Sequence, residues 1–360
     1  MRDGRRVLVT GGAGFIGLNL IAYLLATDPD LSVVSVDILK YGWQQASLAR
    51  AAFPSRHTFV QADILNQGAM TQILKDHHIN LVFHLAAETH VDRSIHSPEE
   101  FVQTNVVGTL RILEAFRSVY GERREEMRFC HVSTDEVFGT LGQDAPAFDE
   151  ETCYAPRSPY AASKAGADHL ARAYQVTYDL PILVTNCSNN YGPFQYPEKL
   201  IPLMIFNALA GKPLPVYGDG KQKRDWLHVG DHCAGLWLAA TRGLPGETHL
   251  FGGGEETENL TLVGMLCRLL DEMRPRDDGG SYAGLIYHVA DRPGHDRRYA
   301  VDSSKARRDL GWAPQMGLEE GLRETVGWYL NAGDWLVAIA ADGGFQDWLA
   351  TNYGGREATA

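Results

Sequence analysis

Short apolar runs alternate with helix-spaced segments through the first half of the chain. "RVLVTG", "SVVSVD", "TFVQAD", "LVFHLAA" and "FCHVST" are apolar almost throughout rather than at every second position. Strands of that kind belong to a parallel sheet covered by helices on both faces. Between them, residues 16–27, 66–78 and 99–119 carry apolar side chains at helical spacing. A further helix is predicted from about Ser158 to Tyr178, followed by the strand "PILVTNC". This order of βαβ units predicts an α/β, Rossmann-like, doubly wound parallel sheet.

The texture changes near residue 187. "NYGPFQYPEKLIP" and "GKPLPVYGDGKQKRDW" are rich in Pro, Gly and aromatic residues, as expected of loops that wall a cleft. Helical spacing returns at 230–241, 260–273 and around 318–330. The expected division is a sheet-bearing lobe over 1–186, which carries the cofactor and catalytic residues, and a smaller lobe over 187–360 interleaved with it.

Composition narrows the partners. The 360 residues are 44% hydrophobic and 22% charged, which fits a soluble globular protein with one large core and a smaller one. A net charge of −12 argues against nucleic acid or an anionic membrane as the main partner. The opening "MRDGRRVLVTGG" lacks the apolar core of a secretory signal, and no apolar run reaches transmembrane length. Cys130, Cys153, Cys187, Cys233 and Cys267 are scattered without CxxC spacing, so neither a zinc site nor a disulfide framework is expected. A cytoplasmic protein without a metal is the expectation.

The first chemical signal is Gly11-x-x-Gly14-x-x-Gly17, placed between a strand and a helix. Glycines there allow a tight turn and close approach of backbone to a pyrophosphate, while the helix N-terminus favours the anion. Asp37 closes the second strand, where a carboxylate accepts from ribose hydroxyls. It would repel a 2′-phosphate, which favours NAD over NADP, with Lys40 nearby as a counterweight. Asp63 is placed to face the adenine or to cap a turn. "HLAAETH" ends the fourth strand, where Ala86 and Ala87 leave room for the cofactor.

The second signal is Tyr160 and Lys164, one helical turn apart in "SPYAASKAGADHLARAY". A cation beside the phenol lowers its pKa and lets it act as a base toward a sugar hydroxyl. Tyr217 and Lys221 share the spacing but span Gly218 and Gly220, as a loop would. The third signal is "STDEVFG", where Asp135 and Glu136 follow Thr134 at a strand end. Adjacent carboxylates repel, and partial burial would keep one of them protonated.

The glycine loop, Asp37 and the Tyr160/Lys164 pair resemble the extended short-chain dehydrogenase/reductase superfamily. Within it, "STDEVFG", "NNYGPFQYPEKLIP", "RDWLHVGDH" and "DRPGHDRRYAVD" resemble the dTDP-glucose 4,6-dehydratases. The resemblance implies that Tyr160 deprotonates the sugar 4-hydroxyl, held also by Thr134, while the C4 hydride passes to NAD. Glu136 would then remove the C5 proton, and Asp135 would protonate the departing C6 hydroxyl. Hydride return to C6 completes a 4-keto-6-deoxy sugar.

The resemblance also implies cofactor contacts from Phe15, Ile16, Ile64 and Thr104. On the substrate side it implies Thr89, Asn189, Asn190, Glu198, Lys199 and Leu200, then Pro215, Val216 and Tyr217. Arg224, Asn259, Asp291, Arg292 and His295 would complete the nucleoside diphosphate site. One departure stands out: family members usually read Leu-Thr-Tyr-Ala-Gly-Asn after the Asp, where this chain has "ILKYGWQQ". Val102, Val106, Leu110, Leu113 and Phe116 suggest a helix stripe, and the superfamily's four-helix bundle implies a homodimer. A 4-epimerase or decarboxylase of the same superfamily has no use for Asp135, and a non-catalytic NAD-sensing protein has none for Tyr160 and Lys164.

Overall fold

In the computed structural model, the apolar runs form strands and the segments between them form helices. The structure describes residues 5–121 and 127–353. The outer ends of both expected lobes, 1–4 and 354–360, lie outside the described residues, as does 122–126. The first half runs β1 (Arg6–Thr10), α1 (Phe15–Thr27), β2 (Ser32–Asp37), α2 (Gly42–Ala51), β3 (His57–Gln61), α3 (Gln67–Asp76) and β4 (Leu81–His84). Next come α4 (Val91–His96), α5 (Pro98–Phe101), a π-helical turn (Val102–Val107), α6 (Gly108–Tyr120), β5 (Arg128–Thr134), α7 (Pro159–Tyr178) and β6 (Ile182–Cys187). The remainder comprises β7 (Asn189–Tyr191), α8 (Leu200–Leu209), β8 (Leu214–Tyr217), β9 (Lys223–His228), α9 (Val229–Arg242), β10 (Thr248–Phe251) and β11 (Glu256–Glu258). It closes with α10 (Asn259–Met273), β12 (Ile286–Val289), α11 (Leu318–Leu330), α12 (Gly333–Ala340) and α13 (Gly343–Tyr353).

Seven parallel strands form the main sheet in the order β10-β6-β5-β4-β1-β2-β3. Both faces are buried, which is why its strands are apolar without alternation. Val7 and Val9 pack with Leu20 and Ile21 of α1 and Leu236 of α9, whereas Leu8 packs with Ile112 and Phe116 of α6. A second core joins α8, α10, α11 and α12, and Trp43 of α2 enters it, stacked on Tyr196 at 4.6 Å. Two small sheets, β11-β9-β7 and β12-β8, edge this second core.

The divergent "ILKYGWQQ" stretch therefore ends in a helix. At its start Gln44 Oε1 accepts from Tyr41 N at 3.0 Å while Gln44 N donates to Tyr41 O at 3.1 Å, and Trp335 Nε1 donates to Ser47 Oγ at 2.7 Å, tying α2 to α12. The helix stripe expected at 102–116 divides, because the π-helical turn shifts its phase. Leu113 and Phe116 are fully buried in the main core, whereas Val102 is 47% exposed.

Candidate active site

The carboxyl ends of β1, β2, β4, β5 and β6 converge on a cavity of about 690 Å³. It opens where the strand order reverses between β1 and β4, the place where doubly wound sheets bind ligands. All the expected cofactor residues line it: Gly11, Gly14, Phe15, Ile16, Gly17, Asp37, Asp63, Ile64, Ala86, Ala87, Thr104, Tyr160 and Lys164. Two glycines are sterically required. Gly11 has φ +71°, and a Cβ there would lie 2.9 Å from Ala86 N; a Cβ on Gly17 would lie 2.2 Å from Gly11 O. Asp37 accepts from Ala13 N at 3.1 Å, Leu39 N at 3.0 Å and Gln44 Nε2 at 3.0 Å. Asp63 accepts from Leu65 N at 2.9 Å, so it shapes its turn while facing the cavity. A glycine cradle at a helix N-terminus beside a fixed carboxylate fits a dinucleotide with a free ribose 2′-hydroxyl.

Lys40, the counterweight expected from the sequence, is neutralised. Its ammonium pairs with Glu88 at 2.6 Å and Glu100 at 3.0 Å across the cavity rim. Both contacts hold its pKa above the ordinary lysine value against the opposing effect of desolvation. Releasing it by the double substitution Glu88→Gln, Glu100→Gln should tighten NADP binding about tenfold relative to NAD. Calorimetric titration of cofactor-free protein measures that ratio, and an unchanged ratio would show that the two glutamates do not govern it.

The candidate catalytic residues meet where β5 ends. Thr134 caps a single 3-10 turn, Asp135–Phe138, by accepting from Glu136 N at 3.3 Å. Pro159 opens α7 and Ser158 caps it, accepting from Ala161 N at 3.0 Å, which fixes Tyr160 and Lys164 in the first two turns. Thr134 and Tyr160 line the same cavity, so both groups face one space. The sequence predicts a phenol pulled down by Lys164. Instead, Lys164 Nζ donates to Val132 O at 2.8 Å, while burial, with the charge of Glu136, holds the phenol well above its ordinary value.

Asp135 is 1% exposed; its Oδ1 takes the Thr134 hydroxyl at 3.3 Å and its Oδ2 has no partner among the described residues. Burial, then Glu136 and Asp225, push its carboxyl well above the ordinary value. Burial also raises Glu136, but Lys199, Arg292 and Arg224 pull it back. The two acids thus differ in the sense an acid–base pair requires. Removing one of those cations by Lys199→Met should raise Glu136 further and shift the acidic limb of the kcat/KM–pH profile to higher pH. A limb that stays in place would assign it to another group.

On the substrate side, Thr89, Asn189, Asn190, Glu198 and Lys199 line the same cavity. Lys199 Nζ donates to Thr89 O at 2.7 Å, Glu198 pairs with Arg93 at 2.9 Å, and Asn190 Oδ1 bonds His232 at 2.8 Å. The other expected contacts lie outside the cavity lining. Leu200 begins α8, Asn259 begins α10, and Pro215, Val216 and Tyr217 lie on β8. Arg224 is 5% exposed, bonds Asp296 O at 2.8 Å and lies over the Tyr299 ring. Arg292 pairs with Asp92 at 3.3 Å, Tyr217 also bonds Asp92 at 3.2 Å, and His295 bonds Asp291 at 2.6 Å. Arg292 Nε and Asn259 Oδ1 are buried without partners among the described residues. Glu88, Gln44, Arg93 and Cys187, which the sequence reading did not assign, also border or brace the site.

Residues 8–325 match the model of the family described as GDP-mannose 4,6 dehydratase. The chain is 49% identical to dTDP-glucose 4,6-dehydratase 1 of Escherichia coli K12 over 364 residues, covering 98% of this chain and 100% of that protein. The dTDP-glucose 4,6-dehydratase of Neisseria meningitidis is 52% identical over 337 residues, covering 92% and 95%. The chain belongs to the dTDP-glucose 4,6-dehydratase family. Among solved structures, the family's member from Streptomyces venezuelae, with NAD and TDP bound, matches with a TM-score of 0.83 and 42% identity over 92% of this chain and 99% of that one. A UDP-glucuronic acid 4-epimerase from Bacillus cereus shares the fold at a TM-score of 0.80, over 91% of this chain and 99% of that one, but only 29% identity.

Proposed function

We propose that the protein dehydrates dTDP-glucose to dTDP-4-keto-6-deoxyglucose and retains NAD as its cofactor. The observation that carries this is the buried Asp135, with one oxygen unpartnered among the described residues, next to Glu136 and in the same cavity lining as Thr134 and Tyr160. The family membership and the cradle fit at Gly11–Gly17 and Asp37 support it. When bound, NAD supplies the hydride acceptor for C4, a positive ring charge, and the hydride donor for C6, with no net turnover.

The chain's own groups do the proton work. With that positive ring charge and the Lys164 ammonium beside it offsetting the effect of burial, Tyr160 ionises and takes the 4-hydroxyl proton while Thr134 holds the same oxygen. Lys164, fixed on Val132 O, keeps a cation in the buried wall. The 4-ketone acidifies C5–H, and Glu136 removes that proton. Asp135 gives its proton to the C6 hydroxyl, which leaves as water. Glu136 returns a proton to C5 as hydride reaches C6, and the proton gained by Tyr160 makes good, through solvent, the one Asp135 gave up, so the net change is loss of one water. A 4-epimerase needs no acid at position 135, which is why this pair favours elimination.

Residues 1–186 are assigned the cofactor and catalytic groups, and 187–360 most nucleotide contacts. Arg224, Arg292 and Lys199 lie close enough to Glu136 to influence its charge, which supports a diphosphate site on that side. The protein is assigned to the cytoplasm as a homodimer, with no nucleic-acid or membrane partner and no metal. Five free cysteines support the compartment, and apolar Ile95, Val102, Val176 and Tyr178, each at least 39% exposed along α4–α7, support the dimer. No helix among the described residues is long and apolar enough to cross a membrane. Incubation with glucose esters of dTDP, UDP, CDP and GDP tests the reading. A 4-keto-6-deoxy product chiefly from the dTDP ester is expected; unaltered 6-hydroxyl in every product would overturn it.

A further inference from the structure

A buried carboxylate lies behind the reacting groups and takes no part in the steps above. Asp168 is on α7, one turn beyond Lys164 and two beyond Tyr160, and is fully buried. It accepts from three side chains: His131 Nε2 at 2.9 Å, Ser133 Oγ at 2.8 Å and Tyr154 Oη at 2.8 Å. Asn186 Nδ2 lies 3.5 Å away and donates to Thr134 O at 2.9 Å.

The arrangement has a plain mechanical reading. His131 and Ser133 project from the same side of β5 because strand side chains alternate. Between them is Val132, whose carbonyl takes the Lys164 ammonium at 2.8 Å. Helix α7 is therefore fastened to three consecutive residues of β5, immediately before Thr134, Asp135 and Glu136. An apolar side chain would fill the space without the desolvation cost of a buried charge. A carboxylate adds something packing does not: directional ties that fix the register of helix against strand. Burial works against its ionisation, but the His131 and Ser133 donors and the nearby Lys164 cation hold Asp168 below the ordinary carboxylate range.

We propose that Asp168 is a positioning residue that holds Thr134, Asp135 and Glu136 in register with Tyr160 and Lys164. The proposal rests on the reading of those five residues as the catalytic set. Asp168→Asn can keep the ties. Its oxygen accepts from Ser133 and Tyr154, and its amide donates to His131 once that ring moves its proton to Nδ1, which has no partner among the described residues. Asp168→Ala cannot keep them.

The test compares Asp168→Ala, Asp168→Asn and Ser133→Ala for kcat, KM for dTDP-glucose, bound NAD and melting temperature. Tyr160→Phe and Glu136→Gln are run beside them. Asp168→Ala is expected to lower kcat about 100-fold with KM and NAD content within about twofold, and Asp168→Asn to recover to within about tenfold of the parent. Ser133→Ala, which removes one tie, is expected to lower kcat about tenfold, and it carries the test if the alanine variant does not fold. A folded Asp168→Ala or Ser133→Ala with parental kcat would overturn the proposal, as would an asparagine variant as slow as the alanine one. Full activity in Tyr160→Phe or Glu136→Gln would instead overturn the catalytic reading beneath it.

Discussion

Glu136→Gln is expected to lower kcat about 1000-fold with KM for dTDP-glucose within about threefold. The substitution keeps the size and the polar end of the side chain but removes the only base assigned to C5–H. Burial raises the Glu136 carboxyl while Lys199, Arg292 and Arg224 oppose that rise. Those cations favour the ionised form, in which the group can accept a proton. Oxidation at C4 is assigned in the proposed mechanism to Tyr160 and Thr134, so the variant should still reduce bound NAD on mixing with dTDP-glucose. Exchange of the C5 proton with deuterated water should stop. Continued exchange at the parental rate would remove Glu136 from that step.

Asp135→Asn is expected to lower kcat about 100-fold and to leave a different trace. Asp135 is buried and raised well above the ordinary carboxyl value, first by desolvation and then by Glu136, so it holds a proton to give. Asparagine preserves the shape and hydrogen-bonds Thr134 but has no acidic proton for the leaving hydroxyl. C5 exchange should therefore persist while loss of the C6 hydroxyl slows. The sign of the pH response follows from the same assignment. Loss of the parent's activity at high pH should include ionisation of Asp135, and that contribution should vanish in the variant. If Asp135→Asn and Glu136→Gln gave the same exchange behaviour, the division of labour between them would be wrong.

The parts of this arrangement that were legible in the sequence are those encoded by local pattern. Uninterrupted apolar strands require burial on both faces, and glycines at 11 and 17 leave no room for side chains. The Pro159 start and Ser158 cap fix the register of Tyr160 with Lys164. What was not legible depends on distant partners. The stretch after Asp37 reads as a departure from a family pattern, and its helix is secured by distant side chains, Trp43 meeting Tyr196 and Ser47 meeting Trp335. Lys40 reads as a free cation until the fold brings Glu88 and Glu100 to it. Asp168 carries no local signal, and only packing of α7 against β5 gives it buried donors at 131 and 133. Similarly, Lys164 proves to be tied to the backbone of β5, a bond that side-chain spacing cannot disclose.

The most direct measurement follows the hydrogen on C4. Purified protein is incubated with dTDP-glucose deuterated at C4, and the product is examined by mass spectrometry and NMR. Transfer of the label to C6 of a 4-keto-6-deoxy sugar, without exchange into solvent, is the expected result. A product that keeps its 6-hydroxyl, or a 6-deoxy product whose C6 carries no deuterium, would contradict it.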